Sequence, residues 1–414
     1  MTRSWSRRQF LGRTAAFAVA AAGAGPLLAA CGGDDDDGSS SSGGGADALA
    51  GTPEKPVTLP LFDDNPAIAD GLAPETGTLK IFNYPDYINE EVIAAFESNY
   101  GVTVEVTTFD VDDEAVEKLR SGQVKTDLFL SASYNNLPKL VAGKLAQPMN
   151  RSYITNFGSI LPSFQDPFYD KGSQYSVPYT VFGTGIMYRT DRVDPAVVEA
   201  KGWEIFWDPA YSGRMSILDD KREGIGLALL RKGITDMNTT DADLIEQAGN
   251  DLKQLTDVSN IRVTIEGYKD VPEGAIDIAH AWSGDPVSGV NSYLPEGTDA
   301  SVVGWWYPKD RVSVVNNDLM LVVKGAEKPV LAHLFIDFML DPENAKLNYA
   351  WNGYQPPLAG LEPDVLVSEE LVPAELEPAL LTETDIGSGL RFLFLEPDVE
   401  ALYNDAWSSF NAGT

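Results

Sequence analysis

Beyond Gly77 the apolar residues fall into two rhythms: short runs that alternate or continue for four to six positions, and longer stretches in which they recur every three or four. The first rhythm predicts strands and the second helices. Residues 79–83 read as a strand, and 90–100 as a helix with Val92, Ile93, Ala95 and Phe96 turned inward. Residues 102–109 read as a second strand of alternating Val and Thr, 112–120 as a helix, and 127–130 as a fully buried third strand. Strand, helix, strand, helix, strand predicts a parallel sheet with right-handed crossovers. Residues 135–142 follow as a short helix. Residues 175–188 alternate like a strand but are expected to be broken at Pro178, Gly183 and Gly185, as where a chain passes from one domain to another. A second α/β set then appears, with a helix over 242–255, strands over 275–282 and 314–323, and helices over 330–340 and 399–410. About 335 residues after Gly77 exceed what one core usually supports, so two domains are expected.

The second set opens on Met215-Ser216-Ile217-Leu218-Asp219-Asp220-Lys221-Arg222-Glu223, a short strand, a charged turn and then an amphipathic helix ended by Gly233. In open α/β sheets ligands are met beyond the carboxyl ends of strands, which makes Asp219, Asp220 and Glu223 candidate cation acceptors. The same spacing also reads as a capping box, Asp220 at the N-cap and Glu223 three residues on, which needs no ligand. Both readings stay open at this point. So do two roles, cleft or packed corner, for Trp305 and Trp306, while His280 and His333 read as structural.

The N-terminus changes the picture of where the chain works. Arg7-Arg8 precede an Ala/Gly-rich apolar run from Thr14 to Ala30, and Leu28-Ala29-Ala30-Cys31 follows the pattern of a lipobox. Residues 1–30 are therefore expected to be a signal peptide of the twin-arginine lipoprotein type, with Cys31 lipidated. The run is short and weakly apolar for a membrane span. Cys31 is the only cysteine, so no intrachain disulfide or thiolate metal cluster is available. Residues 32–45, rich in Gly, Ser and Asp, read as a flexible tether, and 46–76 as an extended or partly ordered lead.

A formal net charge of −32 argues against nucleic acid or an anionic surface as partner, and is compatible with cationic ligands. There is no H-E-x-x-H, G-x-S-x-G or P-loop, and only two well-separated histidines, so an enzyme is hard to assemble. A hydrolase using Asp220 and Glu223 is a formal alternative, but carboxylates three apart at a helix start do not flank a bond.

Seven marks in order make the chain similar to a known family: Asn83-Tyr84-Pro85-Asp86-Tyr87, Thr126-Asp127-Leu128 before Tyr134, Val177-Pro178-Tyr179, the acidic stretch 218–223, Ala281-Trp282-Ser283-Gly284, Tyr307-Pro308-Lys309-Asp310 and Gly353-Tyr354-Gln355-Pro356. From about Gly77 to Gly413 it resembles the spermidine/putrescine-binding group of extracytoplasmic substrate-binding proteins of ABC importers. The resemblance implies a two-lobed α/β fold of the type II periplasmic-binding-protein kind, with residues 77–182 and 316–362 in one lobe and 183–315 and 363–414 in the other. It implies no cofactor, a polyamine held in the cleft, and a membrane permease with its ATPase as partners. Carried over by position, it implies ligand contacts from Tyr84, Tyr87, Tyr134, Asp220, Glu223, Trp282, Asn317 and Tyr354. Departures are Pro85 in place of a Thr, Ala132 in place of a Ser, Val315 and Asn317 in place of a Trp and an Asp, and Leu393 in place of a Gln. A slip of one residue would bring Asp318 to the place of that Asp. Another small solute, monocationic or neutral, is the alternative these departures leave open.

Overall fold

The computed structural model describes residues 45–308 and 310–412, so Cys31 and the signal lie outside the described residues. In chain order the strands are β1 (Thr78–Asn83), β2 (Thr103–Thr108), β3 (Leu128–Ser133), β4 (Val177–Arg189), β5 (Met215–Ile217), β6 (Arg262–Val263), β7 (Ile278–Trp282), β8 (Val303–Trp306) and β9 (Val315–Val322). They run side by side as β2-β1-β3-β9-β4-β7-β5-β6, with β8 also on β4. β1 is parallel to β2 and β3, and β5 is parallel to β6 and β7. β9 and β4 are antiparallel to each other and to their outer neighbours. Two parallel α/β sets thus face each other across one antiparallel pair, giving a two-lobed fold.

The joint is β4. Residues from Val177 to Gly183 pair with β9, and those from Thr184 onward pair with β7 and, from Ile186, with β8. All thirteen of its residues are buried. Contrary to the expectation from the sequence, Pro178 and the two glycines do not break the strand. Pro178 sits where the ladder with β9 slips register, a place where a missing amide costs little. Gly185 is demanded by close approach: a Cβ there would lie 2.5 Å from the Trp305 ring and 2.6 Å from the Trp306 carbonyl oxygen. Trp305 is accordingly packed into the joint, and Trp306 lies edge-on to Trp203 at 5.1 Å, away from the cleft.

Period-two alternation sorts the first set onto two faces. Leu79, Ile81, Leu128, Leu130, Met320 and Val322 pack against Val92, Phe96 and Phe335 on one side. Phe82, Phe129, Leu319 and Leu321 pack against Phe109, Val116 and Leu119 on the other. In the second set, Ile217, Ile225, Leu229, Leu252 and Phe410 form a separate core.

The lead is a bound strap. Leu49 and Leu59 are buried in the Phe82 face. The backbone of Val57 exchanges hydrogen bonds with Phe168 and Lys171 at 2.8 and 2.9 Å, and Tyr175 Oη donates to the Pro60 carbonyl at 2.6 Å. Glu75 accepts the amides of Val330 and Leu331 at 3.1 and 3.0 Å, closing the first turn of the helix Pro329–Met339 from a distant part of the chain. Burying one leucine is worth about 1.5–3 kcal/mol. A body beginning at residue 77 should therefore be less stable than one beginning at 45 by at least about 3 kcal/mol, seen as a lower urea midpoint; coincident unfolding curves would show that the strap contributes nothing.

Candidate functional site

Where the two sets meet, two adjoining cavities of about 90 Å³ each share Tyr84, Phe182, Trp282 and Asp318 in their walls. The rings make a continuous chain. Tyr84 meets Tyr87 edge-on at 6.1 Å, Tyr87 meets Tyr354 at 4.8 Å, Tyr354 meets Phe182 at 5.6 Å, and Phe182 meets Trp282 at 6.0 Å. Edge-to-face contacts of this kind hold each ring in one orientation and leave faces turned to the cavity.

Carboxylates stand at both ends of this wall. In the first cavity Asp220 is the N-cap of the helix Lys221–Arg231, its Oδ1 accepting the amides of Arg222 and Glu223 at 2.7 and 2.9 Å. Cap and cavity residue are one and the same, because only Oδ1 takes the helix amides and Asp220 also lines the space. Glu223 does not complete a capping box. Its Oε1 accepts Thr184 Oγ1 at 3.0 Å and the Trp282 indole N–H at 2.8 Å, which fixes the indole against the cavity. Asp318 on β9 accepts Tyr87 Oη at 2.8 Å, and Tyr87 Oη in turn lies 2.7 Å from Thr180 Oγ1. Asp112 accepts Asn136 Nδ2 at 2.6 Å and the hydroxyl of Ser133. In the second cavity Asp285 accepts Tyr354 Oη at 2.7 Å and the Trp282 amide at 3.0 Å.

These acids are under electrostatic stress. Burial, with Asp220 adding repulsion, pushes the Glu223 carboxyl up to about 8. Burial lifts Asp285 and Asp112 each to about 7, and holds Asp318 well above the usual carboxylate range. The cations nearby are engaged elsewhere. Lys221 binds Asp113 at 2.7 Å and Glu400 at 3.1 Å, and Lys139 binds Glu400 at 2.8 Å, a rim of ion pairs that ties the two sets together beside the first cavity. Arg222 turns away to the carbonyls of Leu393 and Met237 and to Asn238 Oδ1. Among the described residues Asp318 and Asp285 have no ion-pair partner. No group of three or more metal-ligating side chains that could hold a metal ion occurs among the described residues. The site thus combines apolar aromatic walls with acids short of positive charge.

Of the residues singled out from the sequence, Tyr84, Tyr87, Asp220, Glu223, Trp282 and Tyr354 line one or both cavities. Asn317 does not. Side chains alternate on a strand, so Asn316 and Asp318 face the cavity while Asn317 points to the opposite side and donates to Tyr169 Oη at 2.9 Å. Of Asn317 and Asp318, Asp318 faces the cavity, and Asn317, expected there from the resemblance, does not. Tyr134 also stands behind the wall, stacked on Tyr169 at 5.0 Å and donating to Asn316 Oδ1 at 2.9 Å. Asp112, Phe182 and Asp285 were missed. Phe182 ends the run Val177–Phe182 just before β4 changes partners, and Asp285 follows Trp282 by three residues, as Glu223 follows Asp220.

Residues 91–374 match the family model of the bacterial extracellular solute-binding proteins. The chain belongs to this family. Among curated members it is 28% identical, over 308 residues, to the spermidine/putrescine-binding periplasmic protein of Escherichia coli, covering 73% of this chain and 84% of that one. It is 27% identical to the putrescine/cadaverine-binding protein of Pseudomonas aeruginosa, over 64% of this chain and 75% of that one. Among solved structures, the spermidine/putrescine ABC transporter substrate-binding protein of Streptococcus pneumoniae superposes with a TM-score of 0.64 at 25% identity, covering 82% of this chain and 99% of that one. Likeness to this solute-binding family, in fold and in sequence, extends over most of the body.

The raised acids have a measurable consequence in the ligand-free protein. The folded Glu223 carboxyl keeps its proton to about 8, whereas its ordinary value is 4.5. Stability from this group is complete below pH 4.5 and is lost as pH rises toward 8, at up to about 1.4 kcal/mol per pH unit for one proton. Urea denaturation between those limits should show stability falling with pH, and Glu223→Gln should flatten the fall. An identical pH slope in the variant would mean that Glu223 ionises normally.

Proposed function

We propose that this chain is the receptor of an ABC importer that captures a polyamine and hands it to a membrane permease. The observation that carries this reading is the pairing of an aromatic wall with buried acids that lack cations at both of its ends. A polyamine is a methylene chain with ammonium groups at its termini. One ammonium is met by Asp220, Glu223 and Asp318, the methylenes lie along Tyr84, Phe182 and Trp282, and another ammonium reaches Asp285 and Tyr354. Each ammonium supplies the charge the acids lack, and the ring faces add cation–π attraction of about 0.5–2 kcal/mol each. The names of the relatives, which bind spermidine, putrescine or cadaverine, support the same ligand class.

Delivery and placement follow from the rest of the chain in this reading. Export by the twin-arginine route and lipidation of Cys31 anchor the tether at the outer face of the cytoplasmic membrane, and no helix of the described residues is long and apolar enough to cross one. Opening and closing is a hinge motion between residues 77–182 with 316–362 and residues 183–315 with 363–414. Its support is the change of β4 partners between Gly183 and Thr184 and the start of β9 at Val315. The strongly negative surface draws cations toward the cleft.

Calorimetric titration with spermidine, putrescine and butylamine tests the reading. We expect saturable binding of the two polyamines near micromolar, about −8 kcal/mol, and much weaker binding of the monoamine. Heat with none of them, from a folded protein, would overturn the polyamine assignment. Asp220 offers a sharper test. Asn caps helices as well as Asp does, so Asp220→Asn should leave the melting temperature nearly unchanged and yet weaken polyamine binding by about 3 kcal/mol or more. Unchanged affinity would leave Asp220 only its capping role.

A further inference from the structure

His280 lies on β7, one layer behind the first cavity, and is 2% exposed. Its ring is boxed edge-on by Trp203 at 5.9 Å and Phe206 at 6.0 Å, with Ile186 opposite it on β4. Neither ring nitrogen has a hydrogen-bond partner among the described residues. A buried imidazole left with both nitrogens unpaired is costly and calls for an explanation. Glu223 Oε2 lies 3.8 Å from Nε2, too far for a hydrogen bond. Oε1 of the same carboxyl is already held by Thr184 from β4 and Trp282 from β7. From its own helix Glu223 also feels Asp220 and Arg222. Burial keeps the imidazole neutral down to about 3, and burial with Asp220 keeps the carboxyl protonated up to about 8. Two neutral groups therefore stand face to face, a short rotation from a bond.

We propose that His280 is a positioning residue for the cleft carboxylate: when a cationic amine holds Glu223 ionised, the neutral imidazole donates its Nε2–H to Oε2. This rests on the amine-receptor reading above. The proton that Glu223 gives up passes to solvent, and His280 stays neutral throughout, now as the Nε2–H tautomer. The imidazole does not touch the ligand. It lowers the cost of ionising the acid that does, and so sets the pH range in which the cleft accepts a cation. A hydrogen bond to a charged acceptor is stronger than one to a neutral acceptor, so the bond forms when the ligand arrives and adds to the affinity.

Putrescine and spermidine titrations of the wild type, His280→Phe and His280→Gln across about pH 6.5 to 9 test this. Each amine loses some of its protons toward pH 9, but equally for wild type and variants, so the readout is the ratio of variant to wild-type affinity at each pH. We expect His280→Phe to weaken binding about tenfold near neutral pH, and the gap to close toward about pH 9, where Glu223 ionises unaided. His280→Gln, which keeps an N–H donor, should stay within about threefold of the wild type. A loss in His280→Phe that is equal at every pH, or no loss, would overturn the proposal while leaving the amine receptor standing. So would a His280→Gln variant as weak as His280→Phe but with a wild-type melting temperature. Absence of amine binding by the wild type would overturn both readings together.

Discussion

Everything in this molecule's cleft turns on the cost of burying negative charge. Glu223, Asp318 and Asp285 are buried and Asp112 is half-buried, and their protein partners are hydroxyls, amides and an indole N–H rather than cations. Hydrogen bonds of this kind orient a carboxyl but do not neutralise it. Such carboxyls hold their protons to higher pH than usual, and a cation among them would favour their ionised form. The aromatic chain from Tyr84 to Trp282 lines the same space with apolar surface, and the proposed polyamine would use both features at once.

Geometry makes the arrangement possible. β4 passes without interruption from one α/β set to the other and serves the site from both sides of the change of partners: before it Phe182 lines the cavities and Thr180 meets the Tyr87 hydroxyl, and after it Thr184 holds Glu223. Asp318 comes from β9 beside it, Trp282 from the end of β7, and Asp220 and Glu223 from the helix that follows β5. The proposed hinge motion of one set against the other would move these acids relative to the rings. The Lys139, Lys221, Asp113 and Glu400 rim spans the same seam with ion pairs that solvent and salt can weaken.

Much of this was legible in the sequence. The apolar pattern placed β1, β2 and β9 within a residue of their observed ends and β3 within three, and the strand–acid–helix stretch at Met215 located both Asp220 and Glu223. The two readings of Asp220, cap and ligand residue, do not exclude each other, because one oxygen takes the helix amides while the residue also lines the cavity. The error at Asn317 is that of a period-two element: a shift of one residue turns the side chain to the other face, and only the ladder with β4 fixes the register. Asp285 was invisible because it opens a short helix behind Pro286, where an acid is ordinary. The glycines of β4 signalled a break in sequence, yet Gly185 is small so that β8 can approach. The bound strap, with few apolar anchors, carried no periodicity to detect.

A crystal structure of the body grown with putrescine would test the central claim most directly. The account predicts linear density along Phe182 and Trp282, with one terminal nitrogen within hydrogen-bond distance of Asp318 or Glu223 and the other directed toward Asp285. A diamine bound elsewhere, or seated in the cleft with its nitrogens away from these acids, would contradict it.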